Sequence, residues 1–502
     1  MRGIGRTRRP ARCRARTLAG VAAAAALALA GCAAFRPAPG PDPPPACARF
    51  FDLLDAAVAA AGAGDGGSAR VPGFPTLRVN RFLAAAGAAA EAPEAREFAR
   101  EWMRALDLEA RAREIDNLPA PARVRLAAAL GEAPDGARLK ARAAACSAAL
   151  AEHDRRAPVE RLRVPEEYAT AMQVAGLYPL AALPVLALTV RAQEKFRGWH
   201  REPLDRLPWR GRARAYLPEG ALPFSPAEAA RIVADASRNP LAAPRPAGED
   251  AGRLLAMFAP AILQDEAGPD DRIGAVAWAD GRPEVDAAEP ALYTYLSHAR
   301  LRGRPVLQLN YVFWYPARSG PDAPAIERGP LDGLTVRLSL APDGAPFMLD
   351  VMNNCGCYHF FVPDRAAVRG GRRNAGELPP FVPRFLPEGF PRERLLLRVN
   401  SGWHQVDHVG TLPLPPGAAA ADYRLFDYER LESLPAGEAG RMSLFGPDGV
   451  ARGSERIEPL LLFSMGVSKV GSMRQRGRHA VRFIGRAHFD DPDLFDRSFD
   501  FR

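Results

Sequence analysis

The spacing of apolar residues changes period along this chain, and that change restricts the fold more than any other feature. Cys47, Phe51, Leu54 and Val58 recur at i, i+4, i+7 and i+11, the stripe of an amphipathic helix. Alanine-rich segments around residues 94–116 and 120–153 continue in that style. Beyond residue 300 the period becomes two. Leu307, Leu309, Tyr311, Phe313 and Tyr315 alternate with their neighbours, as do Leu334, Val336, Leu338 and Leu340 with Thr335, Arg337 and Ser339. Pro342-Asp343-Gly344 supplies a turn before Phe347-Met348-Leu349, which predicts a hairpin. A second Pro-Asp-Gly at 447–449 precedes the apolar run Leu460 to Phe463, read as part of the same β-rich half. The expected class is α+β: a helical domain over 47–160, a helical and apolar connecting region over 161–248, and a β-rich, sandwich- or barrel-like domain over 249–502.

The first residues carry an address rather than a fold. Residues 1–16 contain seven arginines and no acid, Thr17 to Ala30 is uncharged, and Leu29-Ala30-Gly31-Cys32 follows at once. That order predicts a lipoprotein signal over 1–31, cleaved before Cys32, with acyl chains on that cysteine. Residues 32–46 form a proline-rich tether, too rich in proline for helix or sheet. The expected location is the cell envelope, lipid-anchored and facing the periplasm, with the outer membrane preferred because Ala33 replaces the aspartate of an inner-membrane retention signal. Cleavage removes seven of the 67 basic residues, so the formal charge of +9 falls to about +2 and the basis for nucleic-acid binding disappears.

Between the two halves, Ala171 to Val190 is twenty residues without a charge. Pro179 and Pro184 would break a spanning helix twice, which favours a buried or membrane-surface element over a membrane span. Ser225-Pro226-Ala227-Glu228 reads as a capped helix start and Asn239-Pro240 as its end.

Four cysteines remain beyond Cys32. Cys47 and Cys146 lie in helical segments of one region and are expected to pair in an oxidising compartment. Asn354-Cys355-Gly356-Cys357-Tyr358-His359 is the densest set of reactive side chains. In a straight strand its Cys and His side chains stand about 6.5–7 Å apart, too far for one ion unless Gly356 bends the chain. With a bend, Cys355, Cys357 and His359 would join His404 and His408 in a zinc site; the alternatives are a tight disulfide, inert thiols or a catalytic cysteine. Arg474, Arg478 and His479, in a Gly- and Arg-rich run, would clamp an anion or form a solvated face neutralised by Asp490, Asp491 and Asp493. His-Glu-x-x-His, Gly-x-Ser-x-Gly, phosphate-loop and dinucleotide motifs are absent.

The segments Gln308 to Tyr315, Leu331 to Leu334, Asn354 to His359 and Gly485 to Asp491 resemble an uncharacterised family of proteobacterial lipoproteins, known as hypothetical proteins. The resemblance implies an envelope address and assigns no catalytic role. Two functions are expected from the residues: a binding or scaffolding lipoprotein with a glycan, lipid or protein partner, or a metal- or thiol-dependent envelope hydrolase built on the Cys355/Cys357/His359 cluster with His404 and His408.

Overall fold

A computed structural model of the chain describes residues 45–502; the expected signal, Cys32 and the tether up to residue 44 lie outside the described residues. Helices α1 (Pro45–Ala61), α2 (Arg81–Ala89), α3 (Pro93–Asp116), α4 (Ala120–Leu130) and α5 (Gly136–Ala149) open the fold. The stripe on α1 is buried: Phe51, Leu54 and Val58, joined by Phe50, pack on Ile115, Leu126 and Leu139. Asn80 and Asp135 accept hydrogen bonds from the N–H groups of Leu83 and Ala137, satisfying free donors at the starts of α2 and α5. Cys47 and Cys146 are disulfide-bonded, tying α1 to α5 across 99 residues.

The helical reading missed one element here. Ala69–Val71 and Phe74–Val79 form an antiparallel hairpin. Its buried Arg78 reaches Asp107 and Glu114 of α3 at 3.1 and 2.6 Å. A guanidinium taken out of water needs such partners, so this arginine fixes the hairpin against the helix.

The β half is one curled sheet of ten strands: β1 (Arg212–Pro218), β2 (Ala261–Glu266), β3 (Ala291–Leu301), β4 (Arg304–Arg318), β5 (Gly329–Leu340), β6 (Pro346–Asn353), β7 (Phe360–Pro363), β8 (Leu395–Val399), β9 (Val406–Thr411) and β10 (Ala419–Asp427). Their order is β7-β6-β5-β4-β3-β10-β1-β2-β8-β9. The run from β7 to β3 is antiparallel, including the predicted hairpin β5–β6, in which Gly344 N–H closes the turn on Ala341 O at 2.8 Å. β10 joins the two sides: Ala419–Tyr423 runs parallel to β1 and Arg424–Asp427 parallel to β3.

The expected boundary at 248/249 cuts this sheet. β1 belongs to the connecting region by sequence yet lies in the middle of the sheet, and Asp42–Arg502 form one compact unit. Asn117 Nδ2 donates to Glu432 O at 2.8 Å, and Arg113 pairs with Glu432 at 3.1 Å, so the helical part is bonded to the C-terminal part.

Both sheet faces are covered. Helices α6 (Thr170–Ala175), α7 (Tyr178–Arg201), α8 (Pro226–Ala236) and α9 (Gly248–Phe258) follow in the chain. Ile232, Val233, Leu254 and Phe258 pack on Leu309, Tyr311 and Phe313 of one face. On the other, Val312 and Trp314 pack against Leu431, Leu444 and Phe445 from the C-terminal part. Coverage on both sides explains why β4 buries both phases of its alternation. Ser225 caps α8 by accepting from Glu228 N–H at 3.4 Å, while the Glu228 carboxylate turns to Arg253.

Residues 171–190 form α6 and most of α7, and among the described residues no helix is long and apolar enough to cross a membrane. The run Leu460 to Phe463 is not a strand: it lies in helix α10 (Pro459–Leu462) and the turn after it, with three of its side chains in solvent. Pro459 suits a first helical turn, and no neighbouring strand offers it a partner.

The disulfide closes a loop long enough for a substantial unfolded-state effect. Reduction, or Cys47→Ser with Cys146→Ser, is expected to cost about 2–4 kcal/mol in chemical or thermal unfolding followed by helical circular dichroism. No loss would mean that the cross-link contributes nothing to the α1–α5 packing.

Candidate functional site

The Cys-x-Cys segment is the loop between β6 and β7, and its own backbone folds it back. Gly356 N–H donates to Asn353 O at 2.7 Å, and Asn353 N–H donates to Cys357 O at 3.0 Å. Gly356 sits at φ +90°, and a Cβ there would stand 2.4 Å from Ala480 O, so only glycine fits. Asn354 anchors the loop to the sheet: its Oδ1 accepts from Thr335 Oγ1 at 2.8 Å, and its Nδ2 donates to Phe313 O at 3.3 Å.

This bend brings Cys355 and Cys357 together as free thiols. Cys357 N–H points at Cys355 Sγ over 3.4 Å. The hydrogen bond from the Cys357 thiol holds the Cys355 thiol below its ordinary pKa against the effect of burial, helped by the charge of Arg318. The same bond, with burial, pushes Cys357 well up. Cys355 is therefore the member that ionises first.

Behind the thiols runs a chain of buried charges. Arg318, at the end of β4, makes a paired contact with Asp332 of β5, 2.9 Å on each side, and reaches Glu327 at 2.6 Å. Asp332 also faces His404 Nδ1 at 2.8 Å, and His404 Nε2 stands 3.2 Å from Asp271. Burial opposes the charge on His404, but hydrogen bonds to Asp271 and Asp332 raise its pKa overall. Tyr315 stacks on its ring at 3.8 Å. Glu327 accepts from Trp403 Nε1 at 3.0 Å and from the Tyr358 hydroxyl, which orients both rings.

Those rings form one wall of a cleft with a volume of about 770 Å³. Phe196 of α7 stacks on Trp199 at 4.9 Å and meets Tyr358 and Trp403 at 5.4 and 5.7 Å. Val185 and Leu188 of α7, Phe381, Leu462, Val470 and Phe483 supply more apolar lining. Cys355, Cys357, Glu327 and Glu458 are the polar groups at the buried side, and Arg191 and Lys195 the cations at the exposed side. Lys195 Nζ lies over the Trp403 ring at 4.5 Å. Glu458 is pushed up to about 8 by burial first and then by the charges of Cys355 and Glu327, and its Oε2 has no hydrogen-bond partner.

The zinc expectation is corrected by this geometry. His359 leaves the thiols to bond Asp350 at 2.9 Å, beside Arg337. His404 is committed to Asp271 and Asp332. His408 sits on β9 against Arg384, 3.2 Å from its ring, and burial followed by that charge lowers it to about 4. His404 and His408 do share a short segment, but Gly402 and His404 both adopt positive φ, and the turn sends the two rings into different surroundings. Among the described residues no group of three or more His, Cys, Asp or Glu side chains is placed to hold a metal ion.

The anion clamp is corrected too, as is the solvated face. Arg474 and Arg478 both pair with Glu167, at 3.6 and 3.2 Å, and Arg476 takes Glu432 at 2.8 Å. His479 is buried with Nε2 3.2 Å from Asn354 O; burial, then Arg474, lowers it to about 3. These cations bind the C-terminal part to the rest of the protein.

Arg318, Glu327 and Glu458 went unread in the sequence, and Asp332 and Tyr358 were given no role there. One signal was present: Asp332 has the same parity as Leu334, Val336 and Leu338, so a carboxylate stands in phase with core-facing residues. Such a position demands a buried cation. Comparison with family models, curated proteins and solved structures finds no significant match, so the segment resemblance assigns no family.

Two measurements check this electrostatic picture. Cys357→Ala removes the thiol donor and is expected to move the alkylation profile of Cys355 to higher pH; an unchanged profile would contradict the shared hydrogen bond. Glu458 binds its proton more tightly folded than unfolded, so between its unfolded value near 4.5 and its folded value of about 8 stability falls as pH rises. Glu458→Gln removes that slope, so the variant gains on the parent as pH is raised from 5 to 8 in melting experiments.

Proposed function

We propose that this chain is a lipid-anchored protein of the cell envelope, facing the periplasm, that binds an amphiphile with an apolar chain and an anionic head. The observation that carries this reading is the cleft under α7: its volume lies within the usual range for small-molecule sites, about 300–1,000 Å³, and its lining is mainly apolar, with the exposed Arg191 and Lys195 among its polar groups. The chain of the ligand lies along Phe196, Trp403 and Phe483, and its head lies at Arg191 and Lys195. The lipobox before Cys32 supports the envelope address. The partner class is thus the lipid among the glycan, lipid and protein partners considered.

Titration of a long-chain fatty acid, followed by tryptophan emission from Trp199 and Trp403, tests the proposal. A long chain is expected to bind where a short-chain carboxylate does not, and Ala192→Trp, which fills the lining, to weaken binding at least about tenfold, or ~1.4 kcal/mol. Equal response to short and long chains, or no effect of the filling substitution, would overturn it.

A second reading, a thiol-dependent hydrolase, is favoured by one observation: the more acidic thiol, Cys355, and the protonated Glu458 face the same cleft. Attack of the Cys355 thiolate on an ester carbonyl would form a thioester and release the alcohol with the Glu458 proton, and water would then hydrolyse the thioester. Mass spectrometry after incubation with an acyl ester reads it directly. An acyl adduct on Cys355, absent from Cys355→Ser, supports hydrolysis; an unmodified chain that still binds fatty acid leaves binding as the function.

A further inference from the structure

The outward side of α6, α7 and α10 is apolar and carries no partner among the described residues. Val174, Leu180 and Leu188 are 71, 66 and 67 % exposed, and Leu460 is 80 % exposed. Leu177, Leu183, Ile457 and Leu461 are exposed beside them. The two segments lie side by side: Ala169 N–H donates to Gly466 O at 2.7 Å, and Gln173 Nε2 donates to Met465 O at 3.1 Å. Large side chains concentrated in this way mark a contact surface, because a soluble surface scatters them.

We infer that this face docks onto the surface of an anionic lipid bilayer. Three observations select that occupant. First, the segments that form it carry no exposed charge of their own: residues 171–190 contain none, and Glu458, the single ionisable group between Ile457 and Phe463, is buried and pushed up to about 8. Second, exposed cations follow the apolar stretch on α7, Arg191 and Lys195 against the one acid Glu194, which suits anionic headgroups. Third, Pro45, where the described chain begins, is thirteen positions after Cys32, and six of the nine residues 37–45 are proline. A connection of that length reaches at most about 45 Å, so a lipid on Cys32 keeps the body close enough for this face to reach the same membrane. This third point rests on the lipoprotein reading; the first two do not.

Docking of this face has a consequence for the cleft. Val185 and Leu188 of α7 and Leu462 of α10 line it, so the cleft lies against the elements that enter the bilayer surface. An amphiphile would pass between membrane and cleft without its chain crossing water.

The test uses residues 33–502, which include the whole compact unit from Asp42 and lack the lipid. Co-sedimentation is measured with vesicles of phosphatidylethanolamine and phosphatidylglycerol, and with phosphatidylcholine vesicles. The parent is expected to bind the anionic vesicles more tightly. Leu180→Glu with Leu460→Glu is expected to weaken binding at least about tenfold with an unchanged melting temperature, since both side chains stand in solvent. Arg191→Glu is expected to weaken binding to the anionic vesicles alone. Equal binding by parent and double variant overturns the inference, and so does absent vesicle binding with self-association that the double variant abolishes, which would make the face a subunit interface. Fatty-acid titration of the same double variant separates the two proposals, because those side chains lie outside the cleft lining.

Discussion

The alternating charge chain Glu327–Arg318–Asp332–His404–Asp271 is the constraint on which the site depends. Each of these groups is costly to bury alone, and each is tolerated because its neighbours carry the opposite sign. Asp271 follows β2, Arg318 ends β4, Asp332 opens β5, and His404 precedes β9, so satisfying the charges brings four separated segments to one place. Glu327 then passes the constraint outward through Trp403 and Tyr358, whose rings wall the cleft, and Arg318 passes it to Cys355. The position of the cleft is a result of the charge pairing.

The opposite arrangement holds at the surface. Inside, polar groups are gathered and paired; on α6, α7 and α10, large apolar groups are left in solvent. Cleft and apolar face share α7, whose inward side chains include Phe196 and whose outward ones include Leu180 and Leu183. A helix with apolar groups on both sides needs two apolar neighbours. The described residues supply one of them.

The change of period from helix to strand was legible because it is a local property: α1, α8, β4 and the β5–β6 hairpin follow from spacing, capping and turn residues that lie next to one another. What escaped depends on distant pairing. β10 is alanine-rich at its start and has little strand preference of its own; it becomes a strand because β1 and β3 offer hydrogen bonds on both sides. β1 contains two arginines and escaped for the same reason. At the site, the glycine between two cysteines signalled the bend, and the bend gathers the thiols. The histidines share no centre with them because each is closer to a carboxylate or an arginine supplied by another segment. Arginine-rich residues 474–478 looked like surface; their partners Glu167 and Glu432 lie far away in sequence, and the charge they neutralise is visible only after folding.

The account rests on the cleft holding an amphiphile, and the direct measurement is native mass spectrometry of the full chain purified from its cells in mild detergent. The prediction is one non-covalently bound chain-bearing anion per protein, retained by the parent and absent from Ala192→Trp. A parent that carries no such ligand, or a filled variant that carries it equally, would contradict the account.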